Sequence, residues 1–369
     1  MFTGSNGIVS AVVVLLGFLT ATLLLVIIGR NPSGMYQAIV QVVSGFDSRS
    51  GKWNMRYVGE WLVSAIPLVL CGLSMGFAAR SGLFNIGAEG QYIAGLTAAQ
   101  LIAIYFPSVR ILHWAAAVFC AMLAGALWGG IAGFFKARYK VSEVVSTIMM
   151  NYIALYIHRL ITLGIPGSNT FRTRDFHVTA SLSSSMLASL TNGSRLNYGL
   201  WFAIAAVLIY WLLMEKTAFG FSLRAAGLNR DAAFYSGMRV KFNITSAMAI
   251  AGAFAGLAGA SVSLGVFTHG RVLSVFDNYG FDGIAVALCG NCTAAGTALV
   301  GLLFGMLKSA QPLMQSRQIP REITSIIMGL VVVFISLRSA VQILIEWRMK
   351  EKLRRQNQTV DESKNGENK

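Results

Sequence analysis

Ile8-Val-Ser-Ala-Val-Val-Val-Leu-Leu-Gly-Phe-Leu-Thr-Ala-Thr-Leu-Leu-Leu-Val-Ile-Ile28 carries no charged residue. A helix needs about 20 predominantly apolar residues to cross a hydrocarbon core of roughly 30 Å, because only a helix can satisfy its own backbone there. The stretch reads as a membrane-spanning helix. It lacks a basic segment in front and a small-x-small cleavage site behind, so it is expected to stay in the chain rather than act as a signal peptide. Working outward, apolar segments recur near 58–79, 83–106, 111–135, 143–163, 198–214, 243–267, 281–291, 294–312 and 322–346. The expected fold is all-α, a polytopic membrane bundle of about ten transmembrane segments. The segment at 281–291 is too short to span at 1.5 Å per residue, which makes it a broken or re-entrant helix.

Composition agrees. The chain is 55% hydrophobic and 12% charged over 369 residues, with a mean hydropathy of +0.62; soluble domains carry about 25% charged residues. The net charge of +15 suggests nucleic acid in a soluble protein, but no basic face here is interleaved with aromatics, and nucleic-acid binding is not expected. Instead the cations mark loops: Lys136, Arg138 and Lys140; then Lys216, Arg224, Arg230, Arg239 and Lys241; then Arg348 to Arg355. Ten segments put all three groups, and both termini, on one side, which the positive-inside rule makes cytoplasmic. Arg30, Arg49, Lys52 and Arg56 fall on the outer side, in a loop with room for an external amphipathic helix. Residues 1–346 form the expected membrane domain and 347–369 a polar cytoplasmic tail. The Ser-, Thr- and Gly-rich stretch 164–197 offers little to pack.

Cys289 and Cys292 form a CxxC without a second pair or a thioredoxin-like context, so they read as small packing residues. The four histidines are scattered without metal spacing and read as interfacial or loop residues. No metal site or cofactor is expected. Without GxxxxGK[ST] the chain cannot cradle ATP phosphates itself, and no Ser-His-Asp or metal motif points to an enzyme. Glycines at spacing four, such as Gly72/Gly76, Gly125/Gly129 and Gly252/Gly256, suit close helix packing in lipid.

Three stretches carry polar residues that need a reason. Arg80-Ser-Gly-Leu-Phe-Asn-Ile-Gly-Ala-Glu-Gly-Gln-Tyr92 sets Asn85, Glu89 and Gln91 among glycines inside apolar sequence. Intramembrane polar groups face a cavity or a partner helix, so this is either a translocation-path segment or a tight joint with buried hydrogen bonds. Phe219 to Met238 is amphipathic, with Asp231 placed to cap a short helix that ends at Gly237; it suits docking into a groove on another protein. In Tyr279-Gly-Phe-Asp-Gly-Ile-Ala-Val-Ala-Leu288, Asp282 either caps the short helix, where the dipole favours negative charge, or meets substrate.

Ser81-Gly-Leu-Phe-Asn-Ile-Gly-Ala-Glu-Gly-Gln91 resembles the signature of bacterial permeases of the branched-chain amino acid, ribose and simple-sugar ABC importer family, nearest to its nucleoside branch. Glu143-Val-Val-Ser-Thr-Ile-Met-Met-Asn-Tyr152, Arg224-Ala-Ala-Gly-Leu-Asn-Arg-Asp-Ala-Ala233, Gly252-Ala-Phe-Ala-Gly-Leu-Ala-Gly-Ala260 and Gly280-Phe-Asp-Gly-Ile-Ala-Val-Ala287 match in the same order. The resemblance implies a transport subunit, not an enzyme, in the bacterial inner membrane. It implies a second homologous permease chain, a cytoplasmic ABC ATPase and an extracytoplasmic binding lipoprotein as partners. Nucleosides are the implied cargo, with a simple sugar or riboflavin-type ligand as alternatives. A proton-coupled secondary transporter using Glu89 or Asp282 is the rival of another class. On this reading Asn85, Glu89, Gln91, Tyr92, Phe281 and Asp282 line or support the substrate path. Arg224, Asn229, Asp231, Ala232 and Tyr235 couple to the ATPase.

Overall fold

The structure, a computed structural model, describes residues 3–47, 50–320 and 322–336. In chain order the helices are α1 (Thr3–Ile27), α2 (Ser33–Ser44), α3 (Arg56–Arg80), α4 (Ala88–Tyr105), α5 (Arg110–Tyr139), α6 (Glu143–Leu163), α7 (Ser185–Leu190), α8 (Gly199–Trp211), α9 (Ala218–Leu228), α10 (Arg230–Tyr235), α11 (Val240–Val266), α12 (Tyr279–Cys289), α13 (Ala294–Gln315) and α14 (Glu322–Ser336). Two small antiparallel ribbons accompany them. One pairs β1 (Phe46–Asp47) with β2 (Lys52–Trp53), the other β3 (Arg172–Asp175) with β4 (His269–Arg271). Two compact units are distinguished, one holding residues 1–30 and 325 onward, the other residues 31–324. The expected tail at 347–369 lies outside the described residues.

Every apolar segment read from the sequence carries a helix over its described part. Among the described residues, α3, α5, α6, α8 with its continuation to Lys216, α11 and α13 are long and apolar enough to cross a membrane. The most apolar windows of α3 and α11 are 83% and 78% buried, against 28% for α6 and α8, which makes α3 and α11 the centre of the larger unit. Exposed Leu127, Ile153, Leu160, Trp201 and Leu208 on α5, α6 and α8 form its apolar outer faces.

Glycine sets how closely the centre packs. A Cβ on Gly252 would strike the Gly125 carbonyl, and one on Gly95 the backbone of Gly256. Gly129 meets the Met248 carbonyl and Gly259 the Tyr92 carbonyl. So α4, α5 and α11 touch backbone to backbone, the arrangement small residues permit where lipid offers no hydrophobic drive. On the other side of α3, Gly301 and Gly305 of α13 lie against Val69 and Ala65, and Gly283 of α12 against Cys71.

Three sequence expectations are corrected. The segment expected at 83–106 does not begin as a helix. α3 ends in a Schellman turn, with Gly82 at φ +70° and the N–H groups of Gly82 and Leu83 returning to the Ala79 and Ala78 carbonyls, so residues 81–87 are unwound and α4 starts at Ala88. The stretch 164–197 does pack: Thr173, Ala180, Leu182 and Asn197 are buried, and Leu182 N–H donates to the Leu264 carbonyl. His113 and His158 are buried rather than interfacial; the His113 ring bonds Thr179. The amphipathic helix allowed for after Arg30 is α2, which buries Met35, Ala38 and Val42 and receives Arg317 on Gln37 and Gln41 at 2.6 and 2.8 Å.

Candidate functional site

The unwound segment 81–87 re-enters the bundle. At 1.5 Å per residue, Ser74 lies about 9 Å back along α3 from its end, yet Asn85 reaches it. The Asn85 amide donates to Ser74 Oγ at 3.1 Å and to Gln91 Oε1 at 2.9 Å, and the Gln91 amide returns a bond to Asn85 Oδ1 at 3.0 Å. Gly87 N–H also donates to Asn85 Oδ1. From α6, the Asn151 amide donates to the Ile86 carbonyl at 3.0 Å and accepts from Gly90 N–H at 2.8 Å. All four side chains are buried, and each amide finds partners for both its donor and its acceptor end. A closed network of this kind fixes one geometry, since a broken member leaves an unpaired polar group in a poorly solvated interior.

Glu89 is buried in the first turn of α4 and reaches the start of α12. Its two oxygens accept the N–H groups of Asn278, at 2.9 Å, and Gly280, at 2.6 Å. These are unpaired donors at the positive end of a helix dipole, where a carboxylate is favoured. The cap on α12 is thus Glu89, and the sequence expectation that Asp282 supplies it is corrected. Asp282 instead meets Lys308 of α13 at 2.6 Å, and the Lys308 ammonium stands 4.6 Å from the centre of the Tyr279 ring. Gly280 is obligatory: a Cβ there would overlap the Glu89 backbone.

Tyr92 is also fully buried. Its hydroxyl donates to Asp277 at 2.9 Å, and Asp277 forms a bidentate pair with Arg271 at 2.5 and 2.7 Å. His158 of α6 holds the same loop: its Nε2 stands 3.2 Å from the Leu273 nitrogen and 3.1 Å from the Arg271 carbonyl, and its Nδ1 faces the Thr97 hydroxyl at 2.8 Å. Beside the loop, the rings of Tyr152, Phe276 and Phe281 form a ladder with centroids 5.1 and 5.7 Å apart. Tyr152 is 49% exposed, and Phe276, Phe281, Asp282 and Lys308 are half-buried.

The residues expected along a path therefore divide in two. Asn85, Glu89, Gln91 and Tyr92 are internal bracing. Phe281 stands in the aromatic row with Tyr152 and Phe276, and Asp282 pairs with Lys308, residues the sequence reading passed over. A usable signal existed for Lys308, a single cation in the 22-residue apolar helix α13. Asn151 and Tyr152 stand side by side within the segment quoted above.

A second cluster lies at the C-terminal end of α3, at Arg80. Glu215, in the π-helical turn Leu212–Lys216 that prolongs α8, bridges Arg80 and Arg224, each at 2.6 Å. Asn229 caps α10 by accepting from Asp231 and Ala232 N–H, so the cap is Asn229 rather than Asp231. Gly237 at φ +82° closes the helix as expected. Of the residues expected to couple, Arg224 is turned inward onto Glu215, while Asp231, Ala232 and Tyr235 are exposed, Tyr235 by 87%.

The family model described as "Branched-chain amino acid transport system / permease component" matches residues 57–336, from the start of α3 to the end of α14. The chain belongs to this permease family. It is 41% identical to the guanosine ABC transporter permease protein NupP of Bacillus subtilis (strain 168), over 84% of this chain and 91% of that protein. It is 34% identical to the nucleoside ABC transporter permease protein NupB of Lactococcus lactis subsp. cremoris (strain MG1363), over 92% and 93%. The glucose ABC transporter permease protein TsgB13 of Haloferax volcanii is 31% identical over 75% of each. The permease is accordingly a multi-pass membrane subunit of an ABC importer, a transport component rather than an enzyme. Both site clusters, the braced face at α12 and the exposed α10, lie within the matched residues.

Proposed function

We propose that the permease carries nucleosides inward, and that Tyr152, Phe276, Phe281, Asp282 and Lys308 form one wall of the path. The observation that supports this most is that α12 carries, at adjacent positions, a partly exposed ring of an aromatic row and the carboxylate of a partly exposed ion pair. An aromatic ring offers a stacking surface for a nucleobase. The Asp282 carboxylate accepts from ribose hydroxyls, and the Lys308 ammonium donates to base carbonyls. Asn85, Gln91, Glu89 and Tyr92 act behind this wall, holding α12 in place. The names of two relatives, guanosine and nucleoside permeases, favour the same cargo; the glucose relative keeps a simple sugar as the second reading.

In the full transporter about ten segments build the membrane bundle, with α12 as its one short or broken helix. Residues 1–346 act as the membrane domain, and both termini lie in the cytoplasm with the cation-rich loops. A second permease chain completes the path, and exposed Leu288 of α12 and Leu299 of α13 support an apolar seam there. An ABC ATPase docks on α10 through Asp231, Ala232 and Tyr235, with Arg224 and Asn229 shaping the helix from behind. A binding lipoprotein delivers cargo from outside. ATP-driven movement of α9 and α10 re-packs the path so that it opens to one side at a time.

The test is uptake by cells expressing the chain with its genomic neighbours. Labelled guanosine accumulates, unlabelled nucleosides compete and glucose does not. Competition by glucose alone moves the cargo to sugars, and uptake that survives ATP depletion but collapses with a protonophore removes the importer mechanism.

A further inference from the structure

We propose that the cavity where α5, α10 and α11 meet binds the headgroup of an anionic phospholipid. The cavity encloses about 740 Å³, within the range of small-ligand sites of about 300–1,000 Å³ and larger than a lone phosphate requires. Lys140, Arg230, Arg239 and Lys241 line it, and among the described residues none of the four has an ion-pair partner. Of the other charges in the lining, Lys136 is held by Glu143 at 2.6 Å, and Asp231 is the one carboxylate against the four cations. The remaining cations face a single space. The first turn of the 27-residue helix α11 adds the positive end of its dipole.

The rest of the wall is apolar, and this selects a lipid over a soluble anion. Phe242 on α11 and Phe234 on α10 line the same cavity and are 60% and 67% exposed. Both α5 and α11 are apolar enough to span, and the cavity sits where the last residues of α5 meet the first of α11. Two helix ends at one membrane boundary put cations at headgroup height and exposed rings against acyl chains. Basic pockets at such boundaries hold anionic headgroups, and the cytoplasmic leaflet supplies them. The position is telling because Arg230, Asp231 and Phe234 belong to α10, the exposed helix proposed to meet the ATPase. A lipid seated here braces that helix from its membrane side.

The experiment uses the full-length chain, extracted in mild detergent with the subunits that accompany it, and counts bound lipid by native mass spectrometry. Phosphatidylglycerol remains bound and phosphatidylcholine does not. Replacing Lys140, Arg239 and Lys241 by Gln weakens phosphatidylglycerol binding about fivefold per charge, roughly 100-fold for the triple variant, if each cation near an anionic surface contributes about 1 kcal/mol. If the triple variant fails to accumulate, the three single variants each show the fivefold loss. Equal retention of both lipids, or unchanged binding by the variants, overturns the proposal. Displacement of the lipid by inorganic phosphate makes this a soluble-anion site. A variant that keeps its lipid but sheds the accompanying ATPase makes it a protein interface.

Discussion

Glu89 of α4 and Gly280 of α12 are joined by a 2.6 Å hydrogen bond from the glycine N–H to the carboxylate, across 191 residues of sequence. With the Asn278 bond, it makes one side chain the terminal cap of a short helix on which Phe281 and Asp282 ride. Glu89→Gln keeps one acceptor but turns an NH₂ toward a backbone donor. Hydrogen bonds to charged groups contribute about 1.5–3 kcal/mol each, so a stability loss of about 2 kcal/mol is expected, with uptake reduced further because α12 is no longer anchored. Thermal unfolding in detergent and an uptake assay measure the two effects. Wild-type stability with normal uptake in the Gln variant contradicts a capping role.

Asn85→Ala strips partners from Gln91, Ser74 and Gly87 together. Each buried polar group left unpaired costs about 1–3 kcal/mol, and about 3 kcal/mol in total is expected after local relaxation. Gln91→Ala, which opens the same network, is expected to add little to it. The double variant, measured by thermal shift, therefore falls well short of the sum of the singles.

The glycine seam gives a sharp contrast. Gly252→Leu drives a side chain into the Gly125 carbonyl and separates α5 from α11, so no folded protein reaches the membrane fraction. Gly130→Ala, five positions from Gly125 on the same helix, meets only the Ala249 side chain at 3.6 Å. That variant accumulates as wild type, and immunoblots of membranes separate the two outcomes.

Asp282 and Lys308 form a partly exposed pair, with side chains 26% and 22% accessible. Asp282→Asn and Lys308→Met each leave a lone charge on the proposed path wall, and uptake is expected to fall roughly tenfold in each, matching a coupling of about 1.4 kcal/mol within the usual range for neighbours. Exchanging the two residues restores the pair with reversed polarity. Recovery of protein stability without recovery of uptake is the expected signature of a wall that reads charge direction.

Much of this was legible beforehand. Charge-free apolar runs marked where helices form and in what order, because lipid forces internal hydrogen bonding on whatever crosses it; about ten spans were expected, and six of the described helices are long and apolar enough to cross. The unwound joint was not read as such: a segment was expected from residue 83, and Gly82 and Gly87 bracket the turn that replaces its start. The sequence could not tell path from bracing at Asn85, Glu89 and Gln91, since polar groups inside a membrane protein look alike in sequence whether they face a cavity or each other. It also missed Arg271, Asp277 and His158, whose partners are far apart along the chain: the Thr97–His158 bond spans 61 positions and the Tyr92–Asp277 bond 185. Asp282, in the first turn of α12, could in sequence terms either cap that helix or meet substrate, and only the fold reveals that a residue from α4 already fills the capping position.

At the other end, Asp231→Arg with Tyr235→Ala changes two exposed side chains of α10 without touching the Asn229 cap or the Gly237 turn. The protein is expected to accumulate and to bind cargo, while ATP-driven uptake and transport-coupled ATPase activity fall by at least about tenfold, the size of a lost interface anchor of about 1.4 kcal/mol or more. Undiminished coupled hydrolysis would falsify the docking role.

Gly82 of the unwound joint and Gly227 of α9 meet with no side chain between them; a Cβ on either would lie 2.6 Å from backbone of the other segment. A contact made through side chains can yield by changing rotamer, whereas two peptide backbones in touch have nothing to bend. From the joint, hydrogen bonds run on from Asn85 to Gln91 of α4, the helix whose Glu89 holds the start of α12. On the proposed mechanism the Gly82–Gly227 contact is where movement of α9 is handed to the joint, so the two segments shift as one.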